Sequence, residues 1–305
     1  MPERQADRDV ELRRQRIDAS LDRLPTLSSA ILKLFALDVE ADDYPSRLGD
    51  LLHAEPSLAA RILRVSNSAL SGPEQPVRTV PEAVVRLGAR RAGQILKTLT
   101  LLRIFEPRTD GEYDLWRHAV QVAVATRVIA GASGQTLDPN EAYLAGLFHD
   151  VGRFVMFLHV PPEVQHIEEH GQLTIPALLE AERAACGYDH CEVGWRACQA
   201  LLVPASIAAL CRFHHALKPQ TGELSASQLR LLRAVQQANS LSCLLLDGRD
   251  LSKLPTAERI AELRKACPSD WEWLPVRIEE LEMLLDPIVA RSDDLLVALG
   301  LGKRP

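Results

Sequence analysis

The sequence predicts an all-α protein built as a small N-terminal helical bundle packed on a larger one. Apolar residues recur at spacings of three and four, and no stretch sustains a period of two. Capping residues, first-turn prolines and stop glycines punctuate the chain at helix-length intervals. A hydrophobic content of 47% with only 5% aromatics fits helices cored by Leu, Ala, Val and Ile.

The first 18 or so residues are too polar to pack and are expected as a frayed helix or flexible tail (residues 1–18). Thr26 is placed to cap a helix through Ile31, Leu32, Leu34 and Phe35. Pro45 opens the next, burying Leu48, Leu51 and Leu52, and Pro56 opens one burying Leu58, Ile62 and Val65. Thr79 with Glu82 forms a capping box for a helix that Gly88 stops, and another follows from about Ala89 to Phe105. These short helices define a compact N-terminal bundle, residues 19–108. Pro107 to Gly111 reads as a linker.

The helices then lengthen. Tyr113 to Ala130 forms one, and Asp138-Pro139 opens the helix containing His149-Asp150. Thr174-Ile175-Pro176 starts a helix ended by Gly187, Asp189 caps that of His190, and Pro204 starts that ending at His214-His215. Ser225 with Gln228 boxes a helix to about Leu246, closing the second bundle, residues 109–250. Residues 251–305 should add two helices that cover it.

Net charge is −6, but residues 1–108 hold 17 Lys+Arg against 15 Asp+Glu and the remainder 18 against 26. That distribution excludes a general nucleic-acid surface. Arg86, Arg90 and Arg91 cluster, as do Arg13, Arg14 and Arg16, and both sets read as solvated helix faces. No apolar run reaches the roughly 18 residues of a membrane span, and the charged N-terminus is not a secretory signal. A cytoplasmic protein is expected. The six cysteines, from Cys186 to Cys267, form no Cys-x-x-Cys and are expected as buried free thiols.

The polar residues of the second bundle carry the chemistry. In Leu144-Ala145-Gly146-Leu147-Phe148-His149-Asp150-Val151-Gly152, a histidine and an aspartate interrupt an apolar run that reads as a buried helix. A buried carboxylate must pair, hydrogen-bond or bind a metal. His118, His190, His214 and His215 fall in flanking helices. Imidazole nitrogen with carboxylate oxygen suits Fe, Mn, Zn, Co or Ni. Adjacent helical residues diverge by about 100°, so His149 and Asp150 share one ion only if their helix runs tangential to it. Gly152 should let this helix pack closely on a neighbour. Trp116 and Trp195 read as core anchors, and His53, His159, His166 and His170 as surface or helix-end residues.

In order and spacing these motifs resemble the HD superfamily of metal-dependent phosphohydrolases, and more specifically an HDOD (HD-related output domain) protein. The resemblance runs from about Leu24 to Leu246. It rests on Leu24-Pro25-Thr26-Leu27, Ala60 to Ala69 (with Ser66-Asn67-Ser68), Ala83 to Gly88, Leu115 to Ala119, Ala145 to Gly152, Gly187 to His190 and Phe213 to His215. It implies an HD-like second bundle and a metal site in which His118, His149 and Asp150 match three positions of a His…His-Asp…Asp pattern. His190, His214 and His215 match the extra histidines of two-metal relatives. The departure is the last aspartate, where Asn239 stands in Val235 to Ser240.

Asn offers a neutral carbonyl instead of an anion, so metal affinity should fall and hydrolysis should suffer more. Arg153, after the His-Asp-Val-Gly phrase, is a candidate phosphate contact, with a surface ion pair an equal alternative. Asn67 reads as a left-handed helix cap. The resemblance implies a bacterial signal-transduction or regulatory module with a degenerate site, acting on a signalling protein or small nucleotide ligand, with its input arriving in trans. The alternative is an active phosphohydrolase or phosphodiesterase on a nucleotide or cyclic dinucleotide.

Overall fold

The computed structural model describes residues 2–37, 41–67, 76–134, 137–169, 174–216, 223–246, 251–267 and 274–302, with no strand among them. The N-terminal part comprises α1 (Pro2–Leu21), α2 (Ser29–Ala36), α3 (Tyr44–Ala54), α4 (Pro56–Ser66), α5 (Val80–Leu87) and α6 (Ala89–Ile104). The larger bundle holds α7 (Asp110–Ala132), α8 (Pro139–Phe148), α9 (Val151–His159), α10 (Pro161–Glu169), α11 (Ile175–Cys186), α12 (His190–Ala200), α13 (Ala205–Phe213) and α14 (Ala226–Leu246). After a 3-10 turn, α15 (Thr256–Ala266) and α16 (Ile278–Ala298) complete the chain. No helix among the described residues is long and apolar enough to cross a membrane.

Local signals place most boundaries. Thr79 and Glu82 form the capping box of α5, Gly88 ends it at φ 77°, and Asp138 and Asp189 accept the first-turn N–H groups of α8 and α12. Some boundaries differ from expectation. The α2 cap is Ser28, whose hydroxyl accepts from the Ile31 N–H, and not Thr26. The stretch expected as a linker ends early: Thr109 and Glu112 form a capping box that takes its last two residues, Asp110 and Gly111, into the first turn of α7.

The N-terminal segment is not a flexible tail. Its C-terminal half docks on the larger bundle, with Ile17 fully buried. Its charged residues find partners there: Arg13 pairs with Glu163 at 2.7 Å, and Asp18 receives Arg196 at 2.6 Å. Arg13, Arg14 and Asp18 thus make contacts that a reading of polarity alone misses.

Asn67 is also not a left-handed cap, since its φ is −103°. Its side chain donates to the Val77 carbonyl at 2.8 Å and accepts the Val77 N–H at 2.7 Å. The amide thus pairs with both backbone groups of Val77 as another backbone unit would. Ser68 lies outside the described residues.

One continuous apolar core runs through both bundles. Trp116 is buried, donates to the Phe105 carbonyl at 2.8 Å and packs on Phe154. Trp195 is half-buried beneath the Arg212 guanidinium. At the centre stands α7, against which α8, α14 and α16 pack. A Cβ on Gly146 would lie 2.7 Å from Ala123 Cα, so α7 and α8 touch at the backbone. Gln237 exchanges two hydrogen bonds with Val276, tying the C-terminal segment to α14.

Lys97 of α6 is buried within this core at 2% exposure. Burial pushes its ammonium down from 10.5 to about 8, against the pull of Asp138 and with the help of Arg127. Between those values the unfolded chain binds the extra proton, so the lysine's cost is full below pH 8 and vanishes as pH rises to 10.5. Lys97→Met is therefore expected to stabilise the protein by about 1–3 kcal/mol at pH 7. Thermal denaturation as a function of pH should show the gain fading in the alkaline range.

Candidate metal centre

Five of the six residues expected at the site surround the sixth, Asp150. Its Oδ2 lies 3.5 Å from His149 Nε2 and 3.7 Å from His118 Nε2. Its Oδ1 lies 3.1 Å from His214 Nε2 and 3.5 Å from His190 Nε2. The carboxylate thus stands between two pairs of imidazoles. The His215 ring sits 4.0 Å from that of His214 and 5.1 Å from that of His190. His53, His159 and His166 lie away on exposed or half-buried helix positions, and His170 lies outside the described residues.

The far sides of the rings explain why these nitrogens converge. His149 Nδ1 faces the Gly146 carbonyl at 2.8 Å and His214 Nδ1 the Cys211 carbonyl at 2.7 Å. His190 Nδ1 faces Glu182 Oε2 at 2.6 Å. Each acceptor requires a proton on Nδ1, which leaves the Nε2 of the neutral ring as a lone pair. His118 follows the same rule through Ser242. That hydroxyl donates to Gln121 Oε1, so its oxygen accepts from His118 Nδ1 at 3.0 Å. With all four rings neutral, lone pairs would face lone pairs, His118 against His149 at 3.2 Å and His190 against His214 at 3.3 Å. Asp150 Oδ1 is buried with no N–H aligned on it.

Such an arrangement is unfavourable unless a proton or a cation occupies the space between the nitrogens. The donor set fits a divalent transition metal. Ligand atoms of His118, His149 and Asp150 lie within 4.8 Å of one another, as do those of His190, Cys191, His214 and His215.

The helix expected to carry His149-Asp150 is interrupted there, α8 ending at Phe148 and α9 starting at Val151. The Phe148 carbonyl instead accepts from the Cys211 thiol at 3.0 Å. This break, and not a tangential helix, lets two consecutive side chains face one centre. His214 and His215 likewise follow the end of α13, where Gln236 donates to the His214 carbonyl at 3.1 Å. Gly152 sets the distance between α9 and α12, since a Cβ there would fall 2.0 Å from the His190 carbonyl oxygen and 2.6 Å from Gly194 N.

Electrostatics sort the groups. Burial lowers His118 to about 4 and His149 to about 3, despite the nearby Asp150, so both are neutral at pH 7. For His214 the effect of burial is outweighed by Cys191 and Asp150, which carry it up to about 9. With no cation bound, a proton on His214 serves Asp150 in its place. Asp150 resists the effect of burial through His149, His214, His190 and Arg153 and stays well below the usual carboxylate range. Arg153 Nη1 stands 3.6 Å from Oδ2, so the residue pairs with the buried carboxylate of the centre and not with a surface group.

Asn239 is half-buried beside the cluster, and its side chain favours the charged form of His118. Two contributors escaped the sequence reading. Glu182 is 2% exposed and accepts both the side-chain and backbone N–H of His190. Cys191 places Sγ 3.9 Å from His214 Nδ1; burial raises its thiol, but His214 and His190 outweigh this and bring it to about 7. Adjacency to His190 was the available signal for Cys191. Nothing in spacing pointed to Glu182, which reaches His190 from α11. Of the six free cysteines, Cys243 is exposed and the other five are buried.

The HDOD domain family matches residues 24–217, and the chain belongs to that family. A protein provisionally assigned as a phosphohydrolase, from Shewanella amazonensis SB2B, superposes with a TM-score of 0.67 at 22% identity, covering 93% of this chain and 98% of its own. An HDOD domain protein with unknown function from Geobacter sulfurreducens gives 0.64 at 23%, covering 95% and 98%. A protein provisionally assigned to signal transduction, from Marinobacter aquaeolei VT8, gives 0.65 at 19%, covering 96% and 66%. These likenesses establish the fold. An uncharacterized protein of Treponema pallidum (strain Nichols) is 26% identical over 219 residues, 69% of this chain, which spans 42% of that protein's length.

Gly152→Ala should force α9 and α12 apart, destabilise the protein by about 1–3 kcal/mol and weaken metal retention. Gly49→Ala, where nothing lies within 4 Å of the new Cβ, should instead be neutral or stabilising by about 0.5–1 kcal/mol. Paired thermal melts and metal analysis check both.

Proposed function

We propose that this chain is a regulatory module of the signal-transduction class. In this reading its His/Asp cluster holds a divalent transition metal (Fe, Mn, Zn, Co or Ni) and acts through binding a signalling protein or small nucleotide rather than through turnover. The observation that carries it is the anionic deficit at the centre. Among the described residues, Asp150 is the carboxylate whose oxygens face the convergent Nε2 atoms of the imidazoles. Arg153 offsets its charge, Glu182 acts from behind His190, and Asn239 contributes a neutral amide.

A bound divalent cation supplies Lewis acidity. His118, His149, Asp150, His190 and His214 would hold it, with His215 and Cys191 at its edge. The ligand sphere so built carries a single carboxylate among imidazoles, which suits retention of the ion but gives a bound phosphoester little help from acid–base groups. Burial supports the same reading: His149 and His190 are 0% exposed, and only His215, Arg153 and Asn239 keep partial exposure. The intact set of histidines supports the alternative, a working phosphohydrolase.

Metal analysis of chelator-free protein, followed by assay against phosphomonoesters and cyclic dinucleotides, separates the two. Stoichiometric metal without turnover is expected, and Asp150→Ala should lose the metal. Turnover abolished by Asp150→Ala would establish the hydrolase instead. Glu182→Gln should weaken metal binding about 10–100-fold. Asn239→Asp should tighten it, by about tenfold for each ~1.4 kcal/mol that the restored charge adds. Equal affinity of wild type and Asn239→Asp, measured by competition with a chelator, would remove the anionic deficit as the explanation.

A further inference from the structure

Far from the metal centre along α7, four arginines line one cavity of about 520 Å³: Arg90 and Arg91 of α6, Arg127 of α7 and Arg291 of α16. Arg127 lies nine residues beyond His118 on the same helix, about 13 Å along its axis. The elements that meet here come from the N-terminal bundle, the larger bundle and the C-terminal helix pair. Of the basic cluster Arg86, Arg90 and Arg91 read as a solvated face, the last two therefore line a concavity.

Asp294 is the acidic residue of the lining, and it takes part of one charge: Arg91 Nη2 sits 3.9 Å from its carboxylate and 3.5 Å from its carbonyl oxygen. The lining thus carries four positive side chains against one negative. Guanidinium groups brought together from three helices repel one another, and that repulsion weakens when an anion enters. The remaining wall is mixed. Val124, Val128 and Leu295 give it an apolar side, and Gln94 adds an amide. The volume falls in the range of small-molecule sites, about 300–1,000 Å³. Guanidinium forks match phosphoryl oxygens, and several in one cavity match several phosphoryl groups.

We propose that this cavity binds a small polyphosphorylated ligand of the nucleoside polyphosphate class. Its phosphoryl groups lie among Arg90, Arg91, Arg127 and Arg291, and its base lies against the Val124, Val128 and Leu295 wall. The ligand joins three parts of the chain, and its site is separate from the metal centre.

Isothermal titration of the full chain at low ionic strength with ATP, GTP and inorganic tripolyphosphate tests this. Saturable one-to-one binding is expected, weakened by added salt. Arg291→Gln and Arg90→Gln, both at exposed positions, should each lower affinity by about tenfold or more, with circular dichroism and metal content unchanged. Protein stripped of metal with a chelator and then dialysed should bind with unchanged affinity, which separates this site from the metal-centre reading. Tighter binding of the nucleotides than of tripolyphosphate assigns the apolar wall to a base, and equal binding assigns the ligand to inorganic polyphosphate. The proposal is overturned by absence of binding to all three probes, by affinities indifferent to the arginine changes, by loss of binding in the metal-stripped protein, or by binding confined to DNA or RNA oligonucleotides.

Discussion

A single buried carboxylate organises the larger bundle. Asp150 is buried away from bulk water, and four imidazoles from α7, the α8–α9 junction, α12 and the end of α13 converge on it. Those imidazoles are held from behind by Ser242, the Gly146 and Cys211 carbonyls and Glu182. The helices are therefore fixed in register by polar contacts at the centre as well as by the apolar core around it. A buried network of this kind specifies one arrangement because a partly satisfied alternative leaves charge in a low-dielectric interior.

The same network explains how such different proton affinities coexist within a few ångströms. His118 and His149 are governed by burial, whereas His214 is governed by its anionic neighbours. Cys191 belongs to this balance, because its thiol is drawn toward ionisation by His214 and His190 despite its burial. The centre is thus best described as a coupled set of groups around one carboxylate, with Glu182 as a remote charge acting through His190.

Much of the fold was legible because helix ends are local. Thr79 with Glu82, Asp138, Asp189 and Ser225 with Gln228 each make the hydrogen bonds their sequence positions imply. The convergence of His118, His149, Asp150, His190 and His214 was legible through motif order. Features that depend on distant partners were not. The break after Phe148 needs the thiol of Cys211, which is 63 residues away. The role of Glu182 needs α11 folded onto α12, and the docking of α1 needs Glu163 and Arg196 presented by α10 and α12. Asn67 was misread because its amide serves a backbone group ten residues on, and not the end of its own helix.

The contact between Gly152 and Gly194 has a mechanical meaning. Where Gly152 of α9 meets His190 and Gly194 of α12, backbone lies against backbone, with Val151 the side chain beside Gly194. Soft contacts absorb small displacements by rotamer adjustment; this joint has no such slack. Displacement of His190 relative to Gly152 has to be met by movement of the α9 and α12 backbones themselves.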